Sequence, residues 1–194
     1  NPDNKNWDIL QNPGRLRITT SRIDTNVLCA KNILTQRTFG PKCSGSTLVN
    51  VSNMKNGDIG GLIALQNKYG YVGVKKENNK TMIVQVQTNL GAKEKNEKQG
   101  IINLNDIITS SKVIEQVPLT QEQVYFKTAI DFEIDKAYFY YSLDGKKWKK
   151  IGDSLQMVYS WPKHFMGYRF GLFNYATKEI GGNVDFDYFR IDER

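Results

Sequence analysis

Short runs rich in β-branched and aromatic residues recur along the chain, and glycine, asparagine and other turn residues separate them. Met82, Val84 and Val86 alternate with the residues between them, which is typical of a half-buried strand. Helical periodicity is nearly absent. The pattern predicts strands at residues 15–20, 33–38, 46–51, 60–65, 71–75, 81–88, 100–104, 123–133, 137–142, 148–151, 168–175 and 184–191.

Many short strands in a chain of 194 residues indicate an all-β fold. The spacing predicts an antiparallel two-sheet β-sandwich of the jelly-roll kind. The length suits a single domain with one sizeable core. We find no low-complexity linker and no repeat, so the predicted domain covers residues 1–194.

Charge and hydropathy exclude two classes of partner. The net charge of +7, from 27 basic and 20 acidic residues, is spread along the chain. Residues 146–150 form the longest basic cluster but lack a nucleic-acid motif, so we expect no nucleic-acid binding. No run approaches the ~18 apolar residues of a membrane span.

The glycine-rich residues 56–61 lack the ending of a phosphate-binding loop. They predict a turn followed by a strand, in which Gly60 and Gly61 mark a close approach of another backbone.

Few residues suit metal or nucleophilic chemistry. His164 is the single histidine, so a histidine-rich metal site is excluded and a nucleophilic triad is disfavoured. Cys29 and Cys43 leave two alternatives open, a disulfide in an oxidising compartment or two free thiols. The chain begins with a polar segment that has no Met and no signal peptide, which is typical of a mature or excised fragment.

Aspartates near the end of the chain are the candidate acidic site. Asp185 and Asp187 share one face of a strand, about 7 Å apart at the backbone. That separation suits an acid–base pair of a glycosidase, but structural roles are favoured. Asp192 adds a third carboxylate for a structural Ca²⁺ ion, and no cofactor is otherwise required. The alternative is ion pairing with Arg17, Arg37 or Arg169.

Aromatic residues are unevenly distributed, since 18 of the 22 lie between Tyr125 and Phe189. Residues 138–141 place rings on both faces of one strand. A sandwich buries one face of each sheet, so the other rings are available to a ligand or a neighbouring domain. The turn at Asp144 and Gly145 predicts a hairpin similar to the "Asp box", which is a folding unit.

Several segments, taken in order, resemble the C-terminal concanavalin-A-like domain of family 43 glycoside hydrolases. Those enzymes are β-xylosidases and α-arabinofuranosidases, and the domain is also classed as a xylan-binding module of family 91. The resemblance covers essentially the whole chain. The segments are residues 7–18, 32–41, 54–62, 69–74, 139–145, 164–177 and 181–189.

The resemblance implies a function without catalysis by this chain. In the family, the catalytic carboxylates belong to an N-terminal five-bladed propeller, and a loop of the sandwich contributes an aromatic residue to its pocket. The matching residue here is Phe165. We therefore expect a bacterial, extracellular accessory module that binds xylan or xylo-oligosaccharides. The alternative is a structural domain that packs on the propeller and has no sugar affinity of its own.

The expected sugar contacts combine flat rings for the C–H face of a pyranose with polar groups for its rim. The loop rings are Trp161, Phe165 and Tyr168. Polar and aromatic residues nearby complete the predicted site, namely Arg169, Asn174, Tyr175, Gln36 and Arg37.

Overall fold

The structure, a computed structural model, describes residues 3–88, 110–158 and 166–193. It confirms the all-β prediction, because these residues form strands and one short 3₁₀ turn, Val27–Cys29. No helix among them is long and apolar enough to cross a membrane. The strands are β1 (Trp7–Asp8), β2 (Leu16–Thr19), β3 (Ile33–Arg37), β4 (Lys42–Asn50), β5 (Asp58–Leu65), β6 (Gly70–Glu77), β7 (Lys80–Thr88), β8 (Ser111–Pro118), β9 (Gln123–Asp131), β10 (Lys136–Ser142), β11 (Lys149–Lys150), β12 (Leu155–Gln156), β13 (Arg169–Ala176), β14 (Asn183–Phe186) and β15 (Arg190–Glu193).

The strands form two antiparallel sheets. The nine-stranded sheet has the order β1-β2-β14-β4-β9-β10-β11, with β15 beside β4 and β12 beside β10. The six-stranded sheet has the order β3-β13-β5-β6-β7-β8. Several pairs join strands that are distant in sequence, among them β2–β14, β4–β9 and β3–β13, so the fold depends on long-range contacts.

The main core lies between the sheets. Phe126 and Phe139 from the nine-stranded sheet join Leu62, Phe170 and Leu172 from the six-stranded sheet in one cluster of buried side chains. The long central strands contribute alternate residues to this layer, as expected for a sandwich.

A second apolar cluster covers the outward face of the six-stranded sheet. Tyr71 and Phe173 pack there in an edge-to-face arrangement with ring centroids 4.9 Å apart, and Val27 of the 3₁₀ turn joins them. The prediction that β7 is half-buried is therefore wrong, since Ile83 lies in the main core while Val84 lies in the second cluster. The central strands of this sheet are buried on both faces, whereas its edge strands β3 and β8 are largely exposed.

Two glycines allow β5 and β6 to approach closely, as the sequence predicts for this segment. Gly61 lies opposite Gly73 across the strand pair. A Cβ atom on Gly61 would be 2.3 Å from the carbonyl oxygen of Val72, which belongs to the backbone and cannot rotate away. The close approach therefore requires glycine at Gly61.

The turn before β5 is tied together by a fully buried carboxylate. Asp58 accepts hydrogen bonds from the Lys55 backbone N–H (2.7 Å) and the Thr20 hydroxyl (3.3 Å). Burial raises the pKa of Asp58 to about 6, and the hydrogen bonds offset only part of that effect.

The strands differ from the prediction at several places: β8 and the short strands β1 and β12 were not predicted, and β4 begins at Lys42 rather than at residue 46. The predicted strand at residues 184–191 is two strands, β14 and β15. They pair with different parts of β4, β14 with residues 49–50 and β15 with residues 43–46. The predicted strand at residues 100–104 lies outside the described residues. Cys29 and Cys43 are both free thiols, so the second of the two alternatives holds.

Candidate functional site

The outward face of the nine-stranded sheet carries a groove lined by rings, hydroxyls and charges. Its floor is the small side chains of Ser44 and Ser46 on β4. The hollow has a volume of about 750 Å³. We call it the sheet groove, and it is lined by Ser44, Ser46, Lys127, Trp148, Tyr188, Arg190, Asp192 and Glu193.

Strand register explains why these residues meet although they are far apart in sequence. One row across the sheet joins Arg190 to Ser46 and Ser46 to Lys127. The next row joins Asp192 to Ser44. Neighbouring strands lie ~4.8 Å apart, so each row brings its side chains into lateral contact on one face.

Contacts to neighbouring side chains hold both rings of the groove. The Lys127 Nζ atom lies 4.2 Å from the centroid of the Trp148 ring and 5.5 Å from that of Tyr140, within cation–π range. Burial raises the pKa of Tyr188, and a hydrogen bond between the Tyr188 and Ser46 side chains offsets part of that effect. These contacts restrict the rings before any ligand arrives.

The predicted hairpin presents Trp148. Asp144 accepts hydrogen bonds from the backbone N–H groups of Lys146 (2.8 Å) and Lys147 (2.7 Å) and from the Ser142 hydroxyl (3.0 Å). These donors lower the pKa of Asp144 to about 2. Gly145 adopts a φ of 72°, as the turn requires. The structural interpretation of this motif is confirmed.

A second surface feature is an apolar patch where the edges of the two sheets meet. Trp7 and Ile9 at β1 face Leu34 of edge strand β3 across a hollow of about 280 Å³, with Leu16 between them. Their exposed fractions are 40% for Trp7, 54% for Ile9 and 45% for Leu34, and the adjacent Leu10 is 80% exposed. We call Trp7, Ile9, Leu10, Leu16 and Leu34 the apolar edge.

The structure corrects the expectation that Tyr168 presents its ring to solvent. Its side chain is 2% exposed. The hydroxyl donates to the Lys68 carbonyl (2.6 Å) and accepts from the Val158 N–H (3.2 Å). Tyr168 therefore links the backbone at Lys68 and Val158 to the main core. The predicted contacts Trp161 and Phe165 lie outside the described residues.

Asn174 and Tyr175 are also buried and cannot contact a glycan on the surface. Asn174 faces the core and donates a hydrogen bond to the Ile18 carbonyl (2.9 Å). Tyr175 belongs to the second apolar cluster, where its hydroxyl lies 3.5 Å from that of Tyr71. Burial raises the pKa of Tyr175 to about 12. Both expectations were wrong because the six-stranded sheet is covered on both faces.

The remaining predicted polar contacts lie on edge strand β3 and its neighbour β13. Gln36 and Arg37 are exposed. Arg37 lies directly opposite Arg169, whose guanidinium donates to the Thr35 hydroxyl at 3.4 Å. Gln36 points to the other face of the sheet, because successive side chains of a strand alternate. The three residues therefore do not form one site.

The three predicted calcium ligands do not converge either. Asp185 receives two hydrogen bonds from Arg17 (2.6 and 2.7 Å). Although burial raises the pKa of Asp185, the hydrogen bonds from Arg17 and Asn12 and the positive charges of Arg17 and Arg15 together bring it below its usual value. Asp185 and Asp192 lie opposite Asn50 and Ser44 of β4, roughly 20 Å apart along the strand.

The third carboxylate is engaged elsewhere too. Asp187 pairs with Arg15 (3.1 Å) and Asp192 pairs with Arg190 (2.8 Å). Within the described ranges, no group of three or more acidic, histidine or cysteine side chains is arranged to hold a metal ion. The alternative of ion pairing with arginine is correct for Asp185, with Arg17 as its partner.

Sequence reasoning missed the groove residues Trp148 and Tyr188. The available signal was the strand at residues 138–141, where rings on both faces indicate an aromatic outward surface. Trp148 lies in the hairpin that joins this strand to β11. Tyr188 lies between β14 and β15, where the sequence pattern predicted one continuous strand.

Two stacked antiparallel sheets with an aromatic groove and an apolar edge define a β-sandwich of the concanavalin A-like class. The family model for the β-xylosidase C-terminal concanavalin A-like domain matches residues 1–192. The chain therefore belongs to this family of C-terminal domains, as the sequence resemblance indicates.

Three individual proteins illustrate the similarity. A bifunctional GH43-CE protein of Bacteroides eggerthii is 50% identical, with a TM-score of 0.87 over 100% of this chain and 23% of that chain. A GH43 glycoside hydrolase with an engineered active site, described as having endo-xylanase and exo-arabinofuranosidase activity, is 27% identical, with a TM-score of 0.86 over 100% of this chain and 37% of that chain. A β-xylosidase of Formosa agariphila is 24% identical over 214 residues, which cover 99% of this chain and 32% of that protein. The chain thus spans about a third of the curated relative that it matches.

Proposed function

We propose that this chain is the accessory domain of a xylan-degrading glycoside hydrolase and packs on the catalytic part of the same polypeptide through the apolar edge. The observation that carries the proposal is the exposure of Trp7, Ile9, Leu10 and Leu34 at one place. Exposed apolar patches of this kind mark interfaces. Because Trp7, Ile9 and Leu34 are already about half buried, covering one of them fully would stabilise an interface by about 1 kcal/mol.

The position of the patch supports the catalytic part as its occupant. The matched family consists of C-terminal domains, so in its members the rest of the enzyme precedes this domain. β1 lies near the start of the chain and borders the patch. By the sequence resemblance, the preceding part is a five-bladed propeller that holds the catalytic carboxylates, and this chain alone is not catalytic. A parent enzyme that degrades xylan is proposed to act outside the bacterial cell.

The test is association between this chain and the separately produced catalytic part of its parent enzyme. We expect the two to co-elute in size-exclusion chromatography. Leu34→Asp places a charge in the patch and should abolish co-elution. Ile134→Asp changes an equally exposed apolar residue in the β9–β10 turn and should leave it intact. Equal co-elution of both variants would remove the apolar edge as the docking surface.

Xylan or xylo-oligosaccharide binding is the second candidate function. It is favoured by the aromatic groove on the nine-stranded sheet, on a different surface from the apolar edge. Pull-down of this chain by insoluble xylan tests it, and recovery of all the protein in the supernatant would count against it.

A further inference from the structure

We propose that the sheet groove binds a segment of a neutral pyranose polymer, with Trp148 and Tyr188 as ring contacts and the small side chains of Ser44 and Ser46 as its floor. The inference deepens the second candidate function and rests on it. It is independent of docking through the apolar edge, which uses none of these residues.

The shape of the groove suits a chain of sugar rings. Two aromatic side chains from separate segments border a floor made by the short side chains of β4. Ala129 lies beside Ser44 on β9, so the low floor extends across at least two strands. The volume of about 750 Å³ lies within the usual range of ligand sites, roughly 300–1,000 Å³.

The chemistry of the lining matches the two surfaces of a pyranose. Its C–H face is apolar and packs on aromatic rings, while its hydroxyls need donors and acceptors around the ring edge. Lys127 donates and Asp192 accepts within the lining of the groove. Each class of contact that a sugar requires is therefore present in one hollow.

The charges favour a neutral ligand over an acidic one. Lys127 and Arg190 are cationic, Asp192 and Glu193 are anionic, and the groove has no net charge. Arg190 is also paired with Asp192 at 2.8 Å. A polyuronate would be repelled by the two carboxylates as strongly as the two cations attract it, so we expect an uncharged backbone to bind better.

The rings are held in place before binding. The Lys127 ammonium lies 4.2 Å from the centre of the Trp148 ring, and the Tyr188 side chain is half-buried. Restricting these side chains in advance reduces the entropy that binding would cost. The ring side chains of the groove are therefore restricted before a ligand binds, as expected of a binding surface.

The experiment is calorimetric titration of this chain with xylohexaose, in parallel with sedimentation on insoluble xylan. Trp148→Ala should weaken binding about tenfold, the upper end for one stacked ring. Asp192→Asn, which changes no apolar contact and keeps one acceptor oxygen, should weaken it about threefold, because the hydrogen bond to a sugar hydroxyl loses its charge assistance. Leu143→Ala, an exposed residue of the same hairpin outside the groove, should bind as the unaltered chain does.

Three outcomes separate the possibilities. If the unaltered chain binds no xylohexaose, both sugar binding and the groove are rejected, while docking through the apolar edge is untouched. If it binds and both Trp148→Ala and Asp192→Asn bind equally well, only the groove is rejected. Tighter binding of polygalacturonate that weakens with added NaCl would reject the neutral ligand. Far-ultraviolet circular dichroism of each variant verifies the fold.

Discussion

Replacing the buried Asp58 with asparagine should change how the stability of the domain depends on pH. The Asp58 carboxylate is fully buried and is hydrogen-bonded to Lys55 and Thr20. Asparagine has nearly the same shape and keeps one carbonyl oxygen for the Lys55 N–H. Its amide can donate to the Thr20 hydroxyl, so the variant should fold.

The magnitude follows from the difference between the folded and unfolded proteins. Burial, with a smaller contribution from Glu179, raises the pKa of Asp58 from 3.8 to about 6, although Lys55 opposes the change. The folded state therefore holds its proton more tightly than the unfolded state. The stability that Asp58 contributes by binding this proton is fully present below about pH 4 and is lost as pH rises through about 6. At 1.36 kcal/mol for each pH unit, the loss is about 3 kcal/mol.

The assay is urea unfolding of both proteins at several values between about pH 4 and pH 7. The free energy of unfolding of Asp58→Asn minus that of the unaltered chain should increase by about 2–3 kcal/mol across this range. Glu77 and Asp144, whose pKa values are both lowered to about 2, are common to both proteins and cancel in the difference. A difference that does not vary with pH would refute the reasoning.

Two further predictions concern stability and are measured by the same urea unfolding. Gly61→Ala places a Cβ 2.3 Å from a backbone oxygen of β6 and should cost about 3 kcal/mol, whereas Gly167→Ala, with nothing within 4 Å, should change stability by less than about 0.5 kcal/mol. Arg17→Leu leaves the buried Asp185 without its main partner and should cost about 3 kcal/mol. Arg15→Leu, at a more exposed pair, should cost about 1 kcal/mol or less. Equal costs for either pair of variants would contradict these assignments.

The strands and the family were predictable because their signals are local. β-branched runs and turn residues mark most of the strands, and the turn at Asp144 and Gly145 has the geometry that its sequence requires. Gly60 and Gly61 indicated a close approach of another strand, and the neighbouring backbone is found there. These features depend on residues that are close together in the chain.

The site was less predictable because register and burial decide it. Tyr168 and Tyr175 are residue types that contact sugars, but Tyr168 lies in the main core and Tyr175 in the second apolar cluster, so both are buried. Asp185 and Asp192 are close in sequence, yet they pair with opposite ends of β4. Conversely, Ser46 and Arg190 become neighbours only through strand pairing. Alternation along one strand contains no information about which strand lies beside it.

Docking through the apolar edge is tested most directly by amide hydrogen exchange of this domain, alone and within its intact parent enzyme. We predict that amides of β1, β2 and β3 exchange more slowly in the intact enzyme, because the catalytic part covers Trp7, Ile9 and Leu34. Amides of β10 and β11 on the opposite edge of the nine-stranded sheet should exchange at the same rate in both. Equal exchange of β1 to β3 in the two proteins would contradict the account.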